Sequence, residues 1–235
     1  MAFAVDLHIH SCLSPCGDEE MTPSNIAGMA YLKGLDAIAL TDHNGWQNLP
    51  AMEKTCAAYG VVLLPGLEVT TREEVHMLCY FPSVEEACVF GRLVQEHLPA
   101  VENIPTLFGE QQIRNEDDEV TGVYGKLLLQ ATDIGTDDLP ALCMEMGGVC
   151  VPAHINRKAN SLIANLGFLS LNEPYAAVEV YKKLPNPTDT GEYLILHSSD
   201  AHQLGDISER EFFLRFEEKS TKSLFDYLKA HIGCG

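Results

Sequence analysis

The sequence predicts an α/β chain built on a parallel sheet or barrel, and three observations predict it. Strand-like and helix-like segments alternate through the first half of the chain. Apolar residues make up 46% of the 235 residues, enough for one sizeable core. Imidazoles and carboxylates recur at the ends of the strand-like segments, where folds of this class place their chemistry.

The elements follow in order. Phe3–Ile9 reads as the first strand. Thr22-Pro23 opens a helix, with a capping hydroxyl and then Pro at the first helical position, and Gly34 stands just past its end near Lys33. Asp36–Leu40 is a short apolar strand that ends in Thr41-Asp42-His43. A second helix covers about Gln47–Tyr59 and stops at Gly60. Val61–Leu64 begins a strand that continues towards Glu68, and Val75–Phe81 is the next. Ser83 caps a helix to about Leu98. Residues 83–146 read as an inserted helical subdomain within a single domain of residues 1–235, placed to cap a cleft. The strand pattern resumes at Gly148–Ala153, followed by a helix near Asn160–Leu166 and strands at Ala176–Val180 and Tyr193–Ser198. Phe212–Phe216 reads as an outer strand, and Ser220–His231 as a closing helix.

Charge narrows the partners. Fifteen Lys and Arg against 34 Asp and Glu leave a formal charge of −19. Nucleic-acid phosphates and anionic membranes reward clustered cations, so neither a long duplex nor a membrane is expected as a partner. The apolar stub Met1–Val5 is too short for a signal peptide, and runs such as Val61–Leu64 are too short to span a bilayer. Cysteines at 12, 16, 56, 79, 88, 143, 150 and 234 form no CxxC pair and suit reduced, buried thiols. A cytoplasmic location is expected.

Histidine placement carries the chemistry. His8 and His10 are two apart on a strand, so both point to one face. His43, His76 and His154 fall at strand ends with Asp42 and Glu68, and Asp200 and His202 close the series. Imidazole with carboxylate is the ligand set of zinc, manganese and iron, and a set free of Cys points away from a purely structural zinc site. His97 and His231 lie on predicted helices outside this pattern and read as ordinary surface or core residues, and His197 reads as core.

Asp6-Leu7-His8-Ile9-His10-Ser11, Thr41-Asp42-His43-Asn44, Pro65-Gly66-Leu67-Glu68-Val69-Thr70, Pro152-Ala153-His154 and Ser199-Asp200-Ala201-His202 resemble, in order, the motifs of the PHP (polymerase and histidinol phosphatase) domain. The resemblance spans residues 6–202 and is greatest to the stand-alone, TrpH-like members. It implies a distorted (β/α)7 TIM-like barrel with its metal cluster at the C-terminal ends of the strands. It also implies that His8, His10, Glu68 and Asp200 hold a first metal. Glu68 would bridge to a second, also held by His76 and His154, and His43 and His202 would hold a third. Two or three divalent ions (Mn, Zn or Fe) are then the cofactors.

The loop ligand of the third site stays between two residues. Spacing back from Pro23 favours Asp18, and spacing forward from His10 favours Cys16. A carboxylate suits a hard hydrolytic metal better than a thiolate does, so Asp18 is expected and Cys16 is its alternative. Asp42 is expected to orient His43, and with His202 it completes the catalytic set. Arg157, three residues after His154 as in nucleotide phosphatases of the family, is expected to fork onto a substrate phosphate.

The implied activity is hydrolysis of small phosphomonoesters, nucleotides or short oligonucleotide ends, by a metal-activated hydroxide attacking phosphorus. An amidohydrolase-type enzyme and a non-catalytic metal-binding module are the alternatives. The first usually carries a metal-bridging Lys, whereas this chain has Glu68 at the corresponding strand end.

Overall fold

In the structure, a computed structural model that describes residues 1–185 and 189–233, strand and helix alternate as far as the third strand. In chain order they are β1 (Ala2–Ile9), α1 (Pro23–Leu32), β2 (Ala37–Leu40), α2 (Leu49–Tyr59) and β3 (Val62–Thr70). Then come β4 (His76–Tyr80), α3 (Val84–Glu96), α4 (Pro105–Phe108), β5 (Gln112–Arg114), β6 (Val120–Val123) and α5 (Leu139–Glu145). The chain ends with β7 (Val149–Pro152), α6 (Leu162–Leu166), β8 (Val178–Glu179), β9 (Ile195–Leu196), β10 (Phe213–Arg215) and α7 (Thr221–Lys229).

The helix ends lie where their capping residues stand. The Thr22 side chain accepts from Asn25 N at the start of α1, with Pro23 in the first turn. Gly60 ends α2 in the left-handed region at φ 68°. Ser83 caps α3 by accepting from Glu86 N at 3.3 Å.

A curled six-stranded sheet runs in the order β10-β1-β2-β3-β4-β7. Strands β1, β2 and β3 are parallel, as expected. Strand β4 is not: it pairs antiparallel with both β3 and β7. Its connection to β3 is only Thr71–Val75, too short for the crossover that a parallel partner requires. That reversal places His76 directly opposite Thr70, at the same end of the sheet as Glu68. Beyond β7, Ala176 N bonds Cys150 O at 3.0 Å and Ile155 N bonds Glu179 O at 2.9 Å, which carries the sheet to the parallel pair β8–β9. The Ile9–Ala201 bridge returns it to β1. Seven strands thus go round, and β10 adds an antiparallel edge outside β1.

Alternation along each strand sorts the core into two layers. Val5, Leu7, Ala37, Ala39, Leu64, Leu78, Tyr80, Val149 and Val151 share one cluster with Leu224, Phe225 and Leu228 of α7, which closes the end where the strands begin. Ala4, Ile38, Leu40, Leu63, Met77 and Cys79 face the helices α1, α2, α3 and α5. Seven cysteines are free and all but Cys16 are buried; Cys234 lies outside the described residues. No described helix is long and apolar enough to cross a membrane.

The segment 83–146 differs from the helical subdomain expected. Helices α3 and α5 pack against the sheet, and between them only the four-residue α4 is helical. The rest is loop and the antiparallel hairpin β5–β6, formed where Ile113, Val120, Thr121 and Val123 favour extended backbone. The acidic run is partly bonded rather than simply solvated: Asp118 accepts from Thr22 Oγ1 at 2.8 Å and Ser24 N at 3.1 Å, a second cap for α1.

Gly91 lets α3 approach the loop after β2, because a Cβ there would run into the Trp46 ring. Trp46 in turn donates to Gln95 Oε1 at 3.1 Å. Gly91→Ala is expected to destabilise the fold by about 1–3 kcal/mol through overpacking. A lower midpoint in chemical denaturation is the reading that checks it.

Candidate metal centre

Six histidines and two carboxylates from six places in the chain meet at the C-terminal end of the parallel strands. His8 lies on β1 and His10 just beyond it, on the same face and fully buried. His43 follows β2 and bridges to Glu68 of β3. His76 opens β4, His154 follows β7, and Asp200 and His202 follow β9. His154 and Asp200 take positive φ values of 29° and 51°, which aim two side chains into the cluster from sharp turns.

Glu68 is the centre of the arrangement, with no exposed surface. Its Oε1 lies 3.0 Å from His76 Nδ1, 3.2 Å from His154 Nε2 and 3.3 Å from His8 Nε2. Its Oε2 lies 2.9 Å from His43 Nδ1 and 3.3 Å from His10 Nε2. Asp200 Oδ1 stands 3.2 Å from His10 Nε2 and 3.3 Å from His8 Nε2. Among the described residues, three sets bring ligand atoms within 4.8 Å of one another: His8, His10, Glu68 and Asp200; His43, Glu68 and His76; and His10, His43 and His202.

Tautomers can be deduced for the two histidines of the first strand. His8 Nδ1 donates to Glu179, at 2.9 Å to Oε2 and 3.1 Å to Oε1. The Ser14 hydroxyl donates to Asp42 Oδ1 at 2.7 Å, so its oxygen accepts from His10 Nδ1 at 3.0 Å. In the neutral rings that a metal requires, both Nε2 atoms are left with lone pairs, and these face each other at 3.1 Å. Two lone pairs make no hydrogen bond, but they can share a cation. His43 Nδ1, Glu68 Oε2 and Asp200 Oδ1 are buried there without a hydrogen-bond partner. These donors fit divalent metal ions.

The carboxylates make this a site that draws positive charge, which the two imidazoles of the first strand take up as protons or a metal ion takes in their place. Burial opposes charge on His8, but Glu179, Asp200 and Glu68 outweigh it and hold its pKa well above the ordinary imidazole value. His10 is pushed up to about 9, by Asp200 and Glu68 against burial. Burial would raise Glu68, yet His76, His8 and His43 draw it well below the carboxylate range, and His8 and His10 do the same for Asp200. Burial holds His43 down at about 3. His202 sits at about 4, from burial and the nearby His10.

The expected site residues fare differently. His8, His10, Glu68 and Asp200 form one set, and His43 stands in both of the others. His154 reaches Glu68 but lies outside the three sets. Asp18 and Cys16 join none of them, and both are exposed. The Ser14–Gly17 turn leads Asp18 back onto its own loop, where its Oδ1 accepts from Glu20 N at 2.9 Å. Only its backbone meets the cluster, through a bond to His202 O at 2.9 Å.

Asp42 makes no bond to the His43 ring and reaches His43 only through Ser14 Oγ, which accepts from His43 N at 3.1 Å. It accepts from Ser11 N, Ser11 Oγ and Ser14 Oγ, each at 2.7 Å, and so bears on His10 through Ser14. Burial raises its pKa against those bonds and the charge of His10. Arg157 places a guanidinium nitrogen 2.5 Å from Asp200 Oδ2 and lies over the Tyr181 ring at 4.2 Å.

A cleft of about 480 Å³ opens onto the cluster, lined by His43, His76, His154, His202, Asp200, Arg157 and Lys158 among others. None of residues 99–135 lines it, so the expected capping role has no support in its walls. That segment braces the floor instead. Asn48 donates to Ser11 Oγ at 2.9 Å and Gln112 O at 3.1 Å, and Asn44 donates to Leu128 O at 2.7 Å.

Sequence reasoning missed Ser14 and Glu179. Ser14 offered no signal beyond its place in the loop. Glu179 did: it is the sole carboxylate in the apolar run Ala176–Val180.

The sequence pattern of the PHP domain matches residues 6–184. A 5′-3′ exoribonuclease of Haemophilus influenzae is 32% identical over 69 residues, 29% of this chain and 24% of its own length. The lesion-specific endonuclease Q of Pyrococcus furiosus has a similar fold, with a TM-score of 0.67 and 19% identity over 98% of this chain and 56% of its own. It has also been solved with a 27-mer duplex substrate carrying an abasic lesion at the active site. A candidate metal-dependent phosphoesterase from Bifidobacterium adolescentis follows at 0.59 and 20%, over 86% and 88% of the two chains. The chain therefore spans about a quarter of the exoribonuclease and about half of endonuclease Q.

Removing the Ser14 hydroxyl frees the His10 ring to rotate or change tautomer. Ser14→Ala is expected to weaken metal binding about 10-fold, the lower end of what lost ligand support costs, with chelator competition as the measurement. Five of the six clustered histidines, the two tied imidazoles of the first strand among them, fall within the residues that the matched pattern covers, and the chain belongs to the PHP domain family.

Proposed function

We propose that the chain is a metal-dependent phosphoesterase that hydrolyses small phosphomonoesters, such as nucleotides or short oligonucleotide ends. One observation carries the reading. The buried Glu68 belongs to two ligand sets at once, one with His8, His10 and Asp200 and one with His43 and His76, as a carboxylate bridging two ions would. In this reading His8, His10, Glu68 and Asp200 hold one ion. Glu68, His43 and His76 hold a second with His154 beside them, and His10, His43 and His202 offer a third position. Divalent Mn, Zn or Fe would supply a hydroxide at neutral pH and relieve charge at the phosphoryl oxygens.

The chain's own groups supply the rest. Arg157 holds Asp200 with one nitrogen and turns its remaining donors to the cleft, where Lys158 adds a second positive charge. Tyr181 fixes the guanidinium plane from one side. His202 donates from Nδ1 to the Asp200 carbonyl at 3.0 Å, so its Nε2 keeps a lone pair for an ion or a proton. Held near pKa 4, that ring is neutral at physiological pH. Asp42 is a support for His10 and takes no part at the cleft, since it is buried and lines none of it.

The charge of −19 still disfavours long duplexes in bulk, but it no longer excludes them. Endonuclease Q holds a duplex on this type of fold, and Arg157 and Lys158 put two cations at the cleft beside Asp200.

Phosphate release by the manganese-loaded chain tests the proposal. The panel holds nucleoside mono- and bisphosphates, short oligonucleotides, histidinol phosphate and a nicked duplex. Turnover is expected on the small phosphomonoesters and is expected to fall at least about 10³-fold in Asp200→Ala, since both ion and Arg157 lose a partner. Metal-loaded protein that releases no phosphate from any substrate would refute it.

A further inference from the structure

The mechanism above leaves the buried carboxylate of Glu179 unused. Glu179 is 1% exposed on the two-residue strand β8, in an otherwise apolar run. Burying a carboxylate there is costly unless it is fully bonded. Among the described residues, its carboxylate bonds only residues of the cluster. Both oxygens receive the His8 Nδ1 proton, at 2.9 and 3.1 Å. Oε2 also accepts from the backbone N–H of His154 at 2.9 Å, and its own carbonyl accepts from Ile155 N at 2.9 Å.

These contacts do different things. The bond to His8 fixes which ring nitrogen is bare and turns the ring so that Nε2 faces His10, Glu68 and Asp200. The bonds to His154 and Ile155 grip the chain where His154 stands at φ 29°, a conformation that a non-glycine residue leaves unless held. One side chain therefore sets a ligand of the first ion by its ring and a residue beside the second ion by its backbone.

We propose that Glu179 is a positioning residue shared by the two metal positions, so that its loss weakens both. The proposal rests on the metal-centre reading above. Methionine is close in volume but carries no carboxylate oxygen, so it leaves the His8 Nδ1–H and the His154 N–H without their acceptor and frees the His8 ring to change tautomer.

The test uses the full zinc-loaded chain and its Glu179→Met variant. Long-range ¹⁵N–¹H spectra of the imidazoles report the His8 tautomer, and the His154 amide shift reports its bond to the carboxylate. Chelator competition reports affinity for each ion. The wild type is expected to show His8 protonated at Nδ1 and a strongly downfield His154 amide. In the variant both signatures should be lost, and affinity at both positions should fall about 10- to 100-fold. A variant that binds zinc at both positions as the wild type does, with the His8 tautomer unchanged, would overturn the proposal and leave the metal centre standing. If the variant does not fold, the wild-type spectrum decides alone, since a His8 bare at Nδ1 overturns the proposal. A wild type that binds no zinc or manganese removes the metal centre and the proposal together.

Discussion

A carboxylate without exposed surface, surrounded by five imidazoles, is the constraint on which the rest of the structure depends. An ionised Glu68 in a core is tolerable only if positive charge or strong donors surround it. The fold meets that demand from β1, β4 and the turns after β2 and β7. The short Thr71–Val75 turn serves it as well. By forcing β4 to run backwards, it delivers His76 beside the strand that carries Glu68. A conventional crossover helix would have started β4 at the opposite end of the sheet.

Much of this was legible in the sequence, for physical reasons. A period of two puts His8 and His10 on one face whatever the neighbours do, and strand ends are where loops expose chemistry. The helix caps at Thr22, Ser83 and Ser220 are local in origin, and so the helices begin where they were expected. What was not legible depends on contacts between distant segments. Whether Asp18 reaches the cluster is decided by the turn from Ser14 to Gly17, and spacing cannot tell which way such a turn faces. Asp42 stands next to His43 in sequence but serves His10, because Ser14 comes between. Glu179 lies 171 residues from the histidine it holds. The segment after α3 misled in another way, since its apolar residues form a hairpin and a brace rather than helices.

The supporting bonds share a design. His8 is tied by one bond to a carboxylate, and His10 by a hydroxyl that is itself tied to a carboxylate. Each ring is oriented from its far side, which leaves the near side bare. The 99–135 segment works one layer further out. Through Asn48 and Asn44 it holds the loops that carry Ser11 and His43, so it shapes the centre without touching the cleft.

His154 and Asp200 occupy backbone positions that glycine would fill with less strain, at about 1–2 kcal/mol each. Selection for a functional centre and selection for a durable fold therefore pull in opposite directions at these two turns. A lineage released from the need for chemistry would gain stability by drifting to glycine there, and the first changes to spread would be those that erase the centre. Loss of ligands in an idle copy of this fold would then proceed downhill, in a fixed place, while the barrel around it stayed intact.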